Sequence, residues 1–220
     1  MKGLLIKDCR LLLQQKNFIL LLLICTIFLF TMAEEPSFII AYVTLLMVMM
    51  FLGTVSYDEF DNGYSFLFTL PISRKEYVLE KYVLCVCASL GSGIVATLAC
   101  LAVAAIRQSD IEVQTLVVGA VCILAVSAGI LALMLPIIIK YGPDKLRTIS
   151  FVIAGSIVAC GILLSKLQRP EGSAIDLTGI IKFIEALGTI GIAVIVAMIG
   201  IVAVVVSFFI SVRIVEKKEF

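Results

Sequence analysis

The chain contains no histidine among its 220 residues. This absence excludes Ser-His-Asp and Cys-His nucleophilic chemistry, and it excludes metal sites built on imidazole. The sequence also has no G-x-x-x-x-G-K-[ST] pattern, so the chain cannot bind and hydrolyse ATP by means of that loop. Seven cysteines are present, but their spacing does not suit zinc. We therefore predict a chain that is not an enzyme and binds no metal or cofactor of its own.

Charged residues are also scarce. They make up 15% of the chain, whereas 62% of the residues are hydrophobic and the mean hydropathy is +1.18. Soluble domains are about 45–50% apolar and about 25% charged. The composition and the long apolar runs therefore predict an integral membrane protein that lies in a lipid bilayer. The net charge of +1 gives no support for a nucleic-acid partner.

The apolar runs predict six transmembrane helices, with a bend expected at Pro136 near one end of the fourth. No span interior contains Asp, Glu, Lys or Arg, which argues against an ion-coupled carrier because such carriers usually need an ionisable group at membrane depth. A cleaved signal peptide is the alternative for the first run, because Thr31, Met32 and Ala33 resemble a cleavage site. The predicted spans are residues 18–33, 37–56, 82–106, 113–139, 148–165 and 188–212.

Basic residues give the predicted orientation. Thirteen of the 17 lysines and arginines fall in the terminal segments, in residues 57–81 and in residues 140–147. These segments alternate with the outer loops along the chain, so the positive-inside rule places them, and both termini, in the cytoplasm.

Two amphipathic segments flank the spans. Residues 1–16 combine four basic residues with an apolar stripe, which predicts a helix on the cytoplasmic membrane surface. Residues 166–187 begin with a polar turn and continue with a second stripe from Leu177 to Leu187, which predicts a short helix on the outer surface. The stripe of the first segment is formed by Leu5, Cys9, Leu12 and Leu13.

Residues 57–81 form the only long polar and aromatic stretch between apolar runs. Its first part carries four aromatic residues at positions i, i+3, i+7 and i+11, which places four rings on one helical face. Asp58 and Glu59 point away from that face, and we expect this part of the chain to meet a partner in water. The alternative is a solvated loop whose aromatic side chains lie in the lipid interface. The four aromatic residues are Tyr57, Phe60, Tyr64 and Phe68.

A helix break and a new helix start follow in the same stretch. Pro71 cannot continue a helix, and it biases Leu70 towards an extended conformation. Ser73 and Glu76 then have the spacing of a capping box, in which each side chain accepts a hydrogen bond from the other residue's backbone N–H. We therefore predict a short aromatic-faced helix, a break at Leu70 and Pro71, and a second helix that begins at Ser73.

Three parts of the sequence carry a family resemblance: the opening MKGLLIKD, the acidic stretch after the second span and, above all, LPISRKEYVLEKY. They resemble the permease subunits of bacterial ABC-2 type exporters, and in particular the small permeases of the phenol-soluble modulin transporter group. The resemblance implies one transmembrane domain of six spans over residues 1–220, located in the bacterial plasma membrane. It also implies a second permease, identical or related, and two copies of a separate ATPase that binds ATP and magnesium.

The resemblance also assigns roles to segments. Residues 1–16 look like the elbow helix, residues 57–81 look like the coupling segment that docks on the ATPase, and residues 166–187 look like the extracellular loop and helix. Amphipathic peptides are the implied substrates, although lipid-like molecules and drugs stay open. The coupling residues that follow from this match are Phe60, Tyr64, Phe68, Leu70, Pro71, Ser73, Arg74 and Glu76.

Two other functions compete with this one. A stand-alone carrier or channel is opposed by the charge-free spans. A membrane-embedded enzyme or assembly factor is opposed by the missing histidines and by the lack of a carboxylate pair facing inward.

Overall fold

The computed structural model describes residues 2–32, 35–59, 73–107, 112–167 and 178–217, and between residues 143 and 187 it describes mostly backbone. Over these ranges the chain is helical and has no strand, which confirms the all-α class. The helices are α1 (Lys2–Gln14), α2 (Lys16–Met32), α3 (Pro36–Glu59), α4 (Arg74–Arg107), α5 (Val113–Leu167) and α6 (Thr178–Lys217).

Four helical stretches are long and apolar enough to cross a membrane, and a bent pair of helices gives a fifth. The pair is α1 with α2, which meet at an angle of 64°. These stretches correspond to five of the six predicted spans. The remaining one, residues 148–165, is helical and forms the last part of α5, so the count of six stays a prediction. The four long stretches are Pro36–Asp58, Arg74–Arg107, Val113–Gly142 and Gly188–Lys217.

Glycine interrupts both of the longest helices. Gly142 in α5 has φ 77° and ψ 174°, and Gly188 in α6 has φ 64° and ψ 174°. A side chain at this backbone conformation would be strained, which is why glycine occupies it. The backbone stays helical at Pro136, and the break in α5 lies six residues further on, where Gly142 ends one helix and Pro143 opens the next. The break at Gly188 separates the predicted helix of residues 177–187 from the last span.

Buried apolar side chains form two clusters at opposite ends of the bundle. One cluster joins α3, α4 and α5 near the start of α3, with Ile40, Cys100 and Leu116 among its members. The other joins α1, α3, α4, α5 and the end of α6, and it includes Tyr77 and Val215. The second cluster therefore lies at the end where the segments predicted to be cytoplasmic meet.

Helix α1 packs on this second end through Leu4, Asp8 and Leu12, which are all buried. The stripe predicted for α1 shares only Leu12 with this face, and Leu13 lies on the exposed surface of the chain. An acidic residue thus occupies the centre of the face that α1 turns towards the bundle.

Candidate coupling site at the charged end of the bundle

Five charged side chains from three helices meet at this end, and we call them the charged junction: Lys7 and Asp8 of α1, Asp58 of α3, and Glu80 and Lys81 of α4. Lys81 is its centre. The Lys81 ammonium group is fully buried, and it forms ion pairs with the Asp8 carboxylate and with Asp58 Oδ2, the latter at 2.7 Å. Thr54 Oγ1 lies 3.5 Å from the same nitrogen. A buried ammonium is stable when it is paired in this way.

Asp58 is the second centre of the junction. Its carboxylate accepts hydrogen bonds from Lys7 and from the Tyr77 hydroxyl, the latter at 3.2 Å, and the residue is 6% exposed. Asp58 belongs to the stretch predicted to meet a partner in water, but its side chain is buried among the helices. The predicted second span ended at Ser56, but α3 continues to Glu59, so its last turn brings Asp58 against Lys81.

Glu80 is the member of the charged junction whose two carboxyl oxygens have no hydrogen bond among the described residues. It is 1% exposed, and its closest cation is Lys81, at 4.0 Å. The junction thus contains three carboxyl groups and two ammonium groups, and Glu80 is the carboxyl group that has no hydrogen bond within the part of the chain that the structure describes. A buried polar group in this position favours any change that brings it a hydrogen-bond partner.

The start of α4 is fixed by the predicted capping box. The Ser73 N–H donates to Glu76 Oε2 at 3.1 Å, and the Glu76 N–H donates to Ser73 Oγ at 3.2 Å. Both contacts satisfy backbone N–H groups at the first turn of the helix, which have no carbonyl partner within the helix. The predicted helix start at Ser73 is confirmed.

Arg74 fastens the end of α6 to the start of α4. Its Nη1 donates to the carbonyl oxygens of Val215 at 3.1 Å and Glu216 at 2.8 Å, which are groups that the last turn of a helix leaves without internal partners. Lys75 adds an exposed ion pair with Glu216 at 3.5 Å. The first turn of α4 therefore contacts α6 as well as carrying the cap.

The structure brings three of the predicted coupling residues to this end, namely Ser73, Arg74 and Glu76. The other five, Phe60, Tyr64, Phe68, Leu70 and Pro71, lie outside the described residues. Asp58 and Ser73 stand just before and just after that undescribed stretch.

Sequence reasoning missed the roles of Asp8 and Lys81. One signal was available for each residue. Asp8 is the only acidic residue among the first 16, and Lys81 is the last charged residue before a long apolar run. An unpaired acid in a basic amphipathic segment is a candidate for a contact with a buried base elsewhere in the chain.

Hydroxyl groups connect α4 to its neighbours inside the bundle. The Tyr82 hydroxyl lies 2.8 Å from the Ser211 hydroxyl of α6, and Ser89 Oγ lies 2.7 Å from Ser127 Oγ of α5. The Ser207 hydroxyl donates to the Ala132 carbonyl at 2.6 Å. These groups satisfy one another between helices, as is typical of close packing in membrane proteins.

Four to five apolar helices long enough to cross a membrane pack together, and their charged residues meet at one end of the bundle. These features are those of a multi-pass helical membrane protein. The family described as ABC-2 family transporter protein matches the chain over residues 3–216, and the chain belongs to that family. Searches among curated proteins and among solved structures give no match.

Proposed function

We propose that the chain is the permease subunit of an ATP-driven exporter and that it acts with a separate ATPase. Membership of the ABC-2 family supports a permease of an ABC transporter. The finer proposal follows the resemblance to the phenol-soluble modulin transporter group. In it, two ATPase copies and a second permease complete the assembly in the bacterial plasma membrane, both termini face the cytoplasm, and amphipathic peptides or other hydrophobic molecules leave the cell.

The observation that carries this proposal is the charged junction. It ties the end of α3, the start of α4 and helix α1 together through the contacts of Lys81 with Asp8 and Asp58. Residues 60–72 run between the end of α3 and the start of α4, so both ends of this stretch begin from fixed points. Breaking a buried ion pair by removing one partner costs about 3–5 kcal/mol. In the proposed role, a displacement of residues 60–72 passes through this junction to three helices together.

This geometry suits a segment that receives force from another protein. In the proposed role, Phe60, Tyr64 and Phe68 are anchors in a groove of the ATPase, and Leu70 and Pro71 form the turn that follows. Ser73, Arg74 and Glu76 hold the first turn of α4, so that the turn moves as a rigid part of the helix.

The rival function is a stand-alone carrier or channel. Its best support is the buried charge of Lys81 and its partners, because ionisable groups in membrane proteins often mark ion pathways. However, these groups lie at the end of the bundle and largely neutralise one another. A carrier of this kind would transport its substrate without an ATPase.

The proposal is tested by measuring whether the chain binds the ATPase (capture) and whether ATP hydrolysis depends on substrate transport (coupling). The chain is expressed with its cognate ATPase, and co-purification and substrate-stimulated ATP hydrolysis are measured. Aromatic anchors at the centre of an interface often cost about 2 kcal/mol or more when truncated, or roughly thirtyfold in affinity. Tyr64→Ala, or alanine at Phe60, Tyr64 and Phe68 together, should therefore reduce ATPase capture or uncouple hydrolysis from transport while the chain still inserts.

Two variants calibrate this experiment. Ser73→Ala should act more mildly, because losing a helix N-cap costs about 1 kcal/mol. Ile195→Leu, on an exposed position of α6, should leave capture and coupling unchanged. Unchanged capture and coupling in the triple alanine variant would exclude docking through these aromatic residues. Substrate transport by vesicles that contain the chain but no ATPase would favour the rival function.

A further inference from the structure

A basic groove lies between α5 and α6 at the same end of the bundle as the charged junction. It has a volume of about 520 Å³, and no acidic residue lines it. Lys140 comes from the turn of α5 just before the Gly142 break, and the other lining residues come from the last two turns of α6. The lining residues are Lys140, Ile210, Arg213, Ile214 and Lys217.

The three cations of this groove have no acidic partner in the part of the chain that the structure describes. Among the described residues, Arg213 and Lys217 make no ion pair, and the recorded contact of Lys140 is with the Tyr141 ring, at 4.8 Å. Lysines elsewhere at this end differ, because Lys75 and Lys81 are both paired with carboxylates. The groove therefore presents three positive charges that no other described part of the chain neutralises, and it attracts an anion.

The basic groove continues into an aliphatic one. Ile210 also lines a second groove of about 710 Å³, which follows the seam between α5 and α6 as far as Met198. Its lining is aliphatic apart from Ser207, whose hydroxyl already donates to the Ala132 carbonyl. The thirteen residues from Met198 to Ile210 cover about 18 Å of helix. This length slightly exceeds half of the hydrocarbon core of a bilayer, which is about 30 Å thick.

We propose that the two grooves together bind one anionic phospholipid, with its phosphodiester group among Lys140, Arg213 and Lys217 and an acyl chain along the aliphatic seam. Each part of the ligand has a matching surface. The basic groove, for the phosphodiester group, lies at the end of two spans, and the aliphatic groove, for the acyl chain, is about as long as one leaflet is deep. Basic pockets between transmembrane helices on the cytoplasmic side are known to suit anionic headgroups. A small soluble phosphate would leave the aliphatic groove unused, and a zwitterionic lipid brings no net negative charge to the three cations. The proposal does not depend on export or on an ATPase.

The experiment measures lipid binding to the purified full-length chain in a neutral detergent. Dioleoyl phosphatidylglycerol, dioleoyl phosphatidylcholine and glycerol 3-phosphate are titrated separately, and bound molecules are counted by native mass spectrometry. Phosphatidylglycerol should bind more tightly than the other two. Each cation removed should weaken its binding about fivefold, since one basic residue near an anionic surface contributes on that scale. Changing Lys140, Arg213 and Lys217 to glutamine together should bring its affinity down to that of phosphatidylcholine.

Matched variants distinguish lipid binding at this site from a general effect of the protein's positive charge. Lys145→Gln removes an exposed lysine that does not line the groove, so it should leave phosphatidylglycerol binding unchanged. Arg213→Lys should retain most of the affinity because it keeps the charge. Ala203→Phe narrows the aliphatic groove, so it should weaken phospholipid binding without moving the thermal unfolding midpoint of the lipid-free chain.

Three results would overturn the proposal. Equal affinity for phosphatidylglycerol and phosphatidylcholine in the unchanged chain would show that charge plays no part. Competition by glycerol 3-phosphate at equal concentration would reduce the site to an anion site without a lipid chain. Cross-linking of a second copy or of the ATPase through a cysteine placed at Arg213, in native membranes, would show that a protein covers the grooves.

Discussion

Lys81 is the residue on which the charged junction depends. Its ammonium group faces two carboxylates that come from helices on either side of it, and all three groups are shielded from water. Neither Asp8 nor Asp58 has a second cation of comparable burial, because Lys7 is 36% exposed at its side chain. Loss of the Lys81 charge would leave two buried carboxylates in repulsion.

We predict that Lys81→Met, which keeps most of the volume and removes the charge, lowers the free energy of unfolding by about 3–5 kcal/mol. Adding Asp8→Asn should recover part of that loss, because it removes one of the two buried carboxylate charges that then share only Lys7. Lys75→Met is the control: its ion pair with Glu216 is exposed, so the change should stay within about 1 kcal/mol. The measurement is denaturant unfolding of the purified chain in detergent, and equal losses for Lys81→Met and Lys75→Met would contradict the prediction.

Residues that are close in sequence were easier to predict than residues that are distant. The Ser73 and Glu76 pair could be predicted because a capping box is three residues long and depends only on local geometry. The contact between Asp8 and Lys81 spans 73 positions, and no local pattern records it. The sequence places both residues in polar segments, and only the packing of α1 across the end of α3 and α4 shows that they meet.

At the scale of helices, glycine sets the limits. Several helices that correspond to predicted spans begin or end within a few residues of the predicted positions, because hydropathy changes sharply there, but α4 begins at Arg74, eight residues before the predicted start at Tyr82. The exact breaks follow a different rule: Gly142 and Gly188 take a backbone conformation with positive φ, and helices stop at these residues. Pro136 is the expected site of a bend because proline removes a helical hydrogen bond; the backbone conformation is helical there, and the non-helical residue in α5 is Gly142.

Alanine substitution at Gly188 should therefore be costly. A Cβ atom there would meet no atom within 4 Å, so the cost comes from the backbone conformation alone. We expect Gly188→Ala to lower the free energy of unfolding by about 1–3 kcal/mol. Gly53→Ala is the matched control. Gly53 lies inside α3 and also has nothing within 4 Å, so alanine should stabilise that helix by about 0.5–1 kcal/mol. Thermal unfolding of both variants checks the opposite signs, and a stabilised Gly188→Ala chain would contradict the assignment.

At the scale of the whole molecule, the positive-inside pattern and the packing agree on which segments share an end. Contacts link α1 with α3 and α4, and α4 with the end of α6, and Lys140 lines one groove with the end of α6. These are the segments that hold 13 of the 17 basic residues. The side of the membrane on which this end lies stays a prediction from charge.

We predict that cysteines placed at Glu34, Gln108 and Gly172 react with an impermeant thiol reagent applied to intact cells. Cysteines at Asn62 and Asp144 should react only after the membrane is opened. The background chain must lack its seven native cysteines, and labelling after permeabilisation serves as the control for reactivity. Reaction of a cysteine at position 62 in intact cells would show that the predicted orientation is wrong. Residues 60–72 would then lie outside the cell, where an ATPase in the cytoplasm cannot reach them.

The contact of Arg74 with the end of α6 is made to main-chain carbonyl oxygens, and every amino acid supplies such an oxygen. For this contact, positions 215 and 216 need only supply a backbone carbonyl group, although the Val215 side chain is also buried in the second cluster. Related chains can differ at an exposed position such as Glu216 and still keep this contact. A chain that lacks the last four residues would keep both carbonyl groups, whereas a chain that lacks the last six would lose both. Covariation between aligned positions would leave no trace of the contact, although it joins the first and last turns of two helices 141 residues apart.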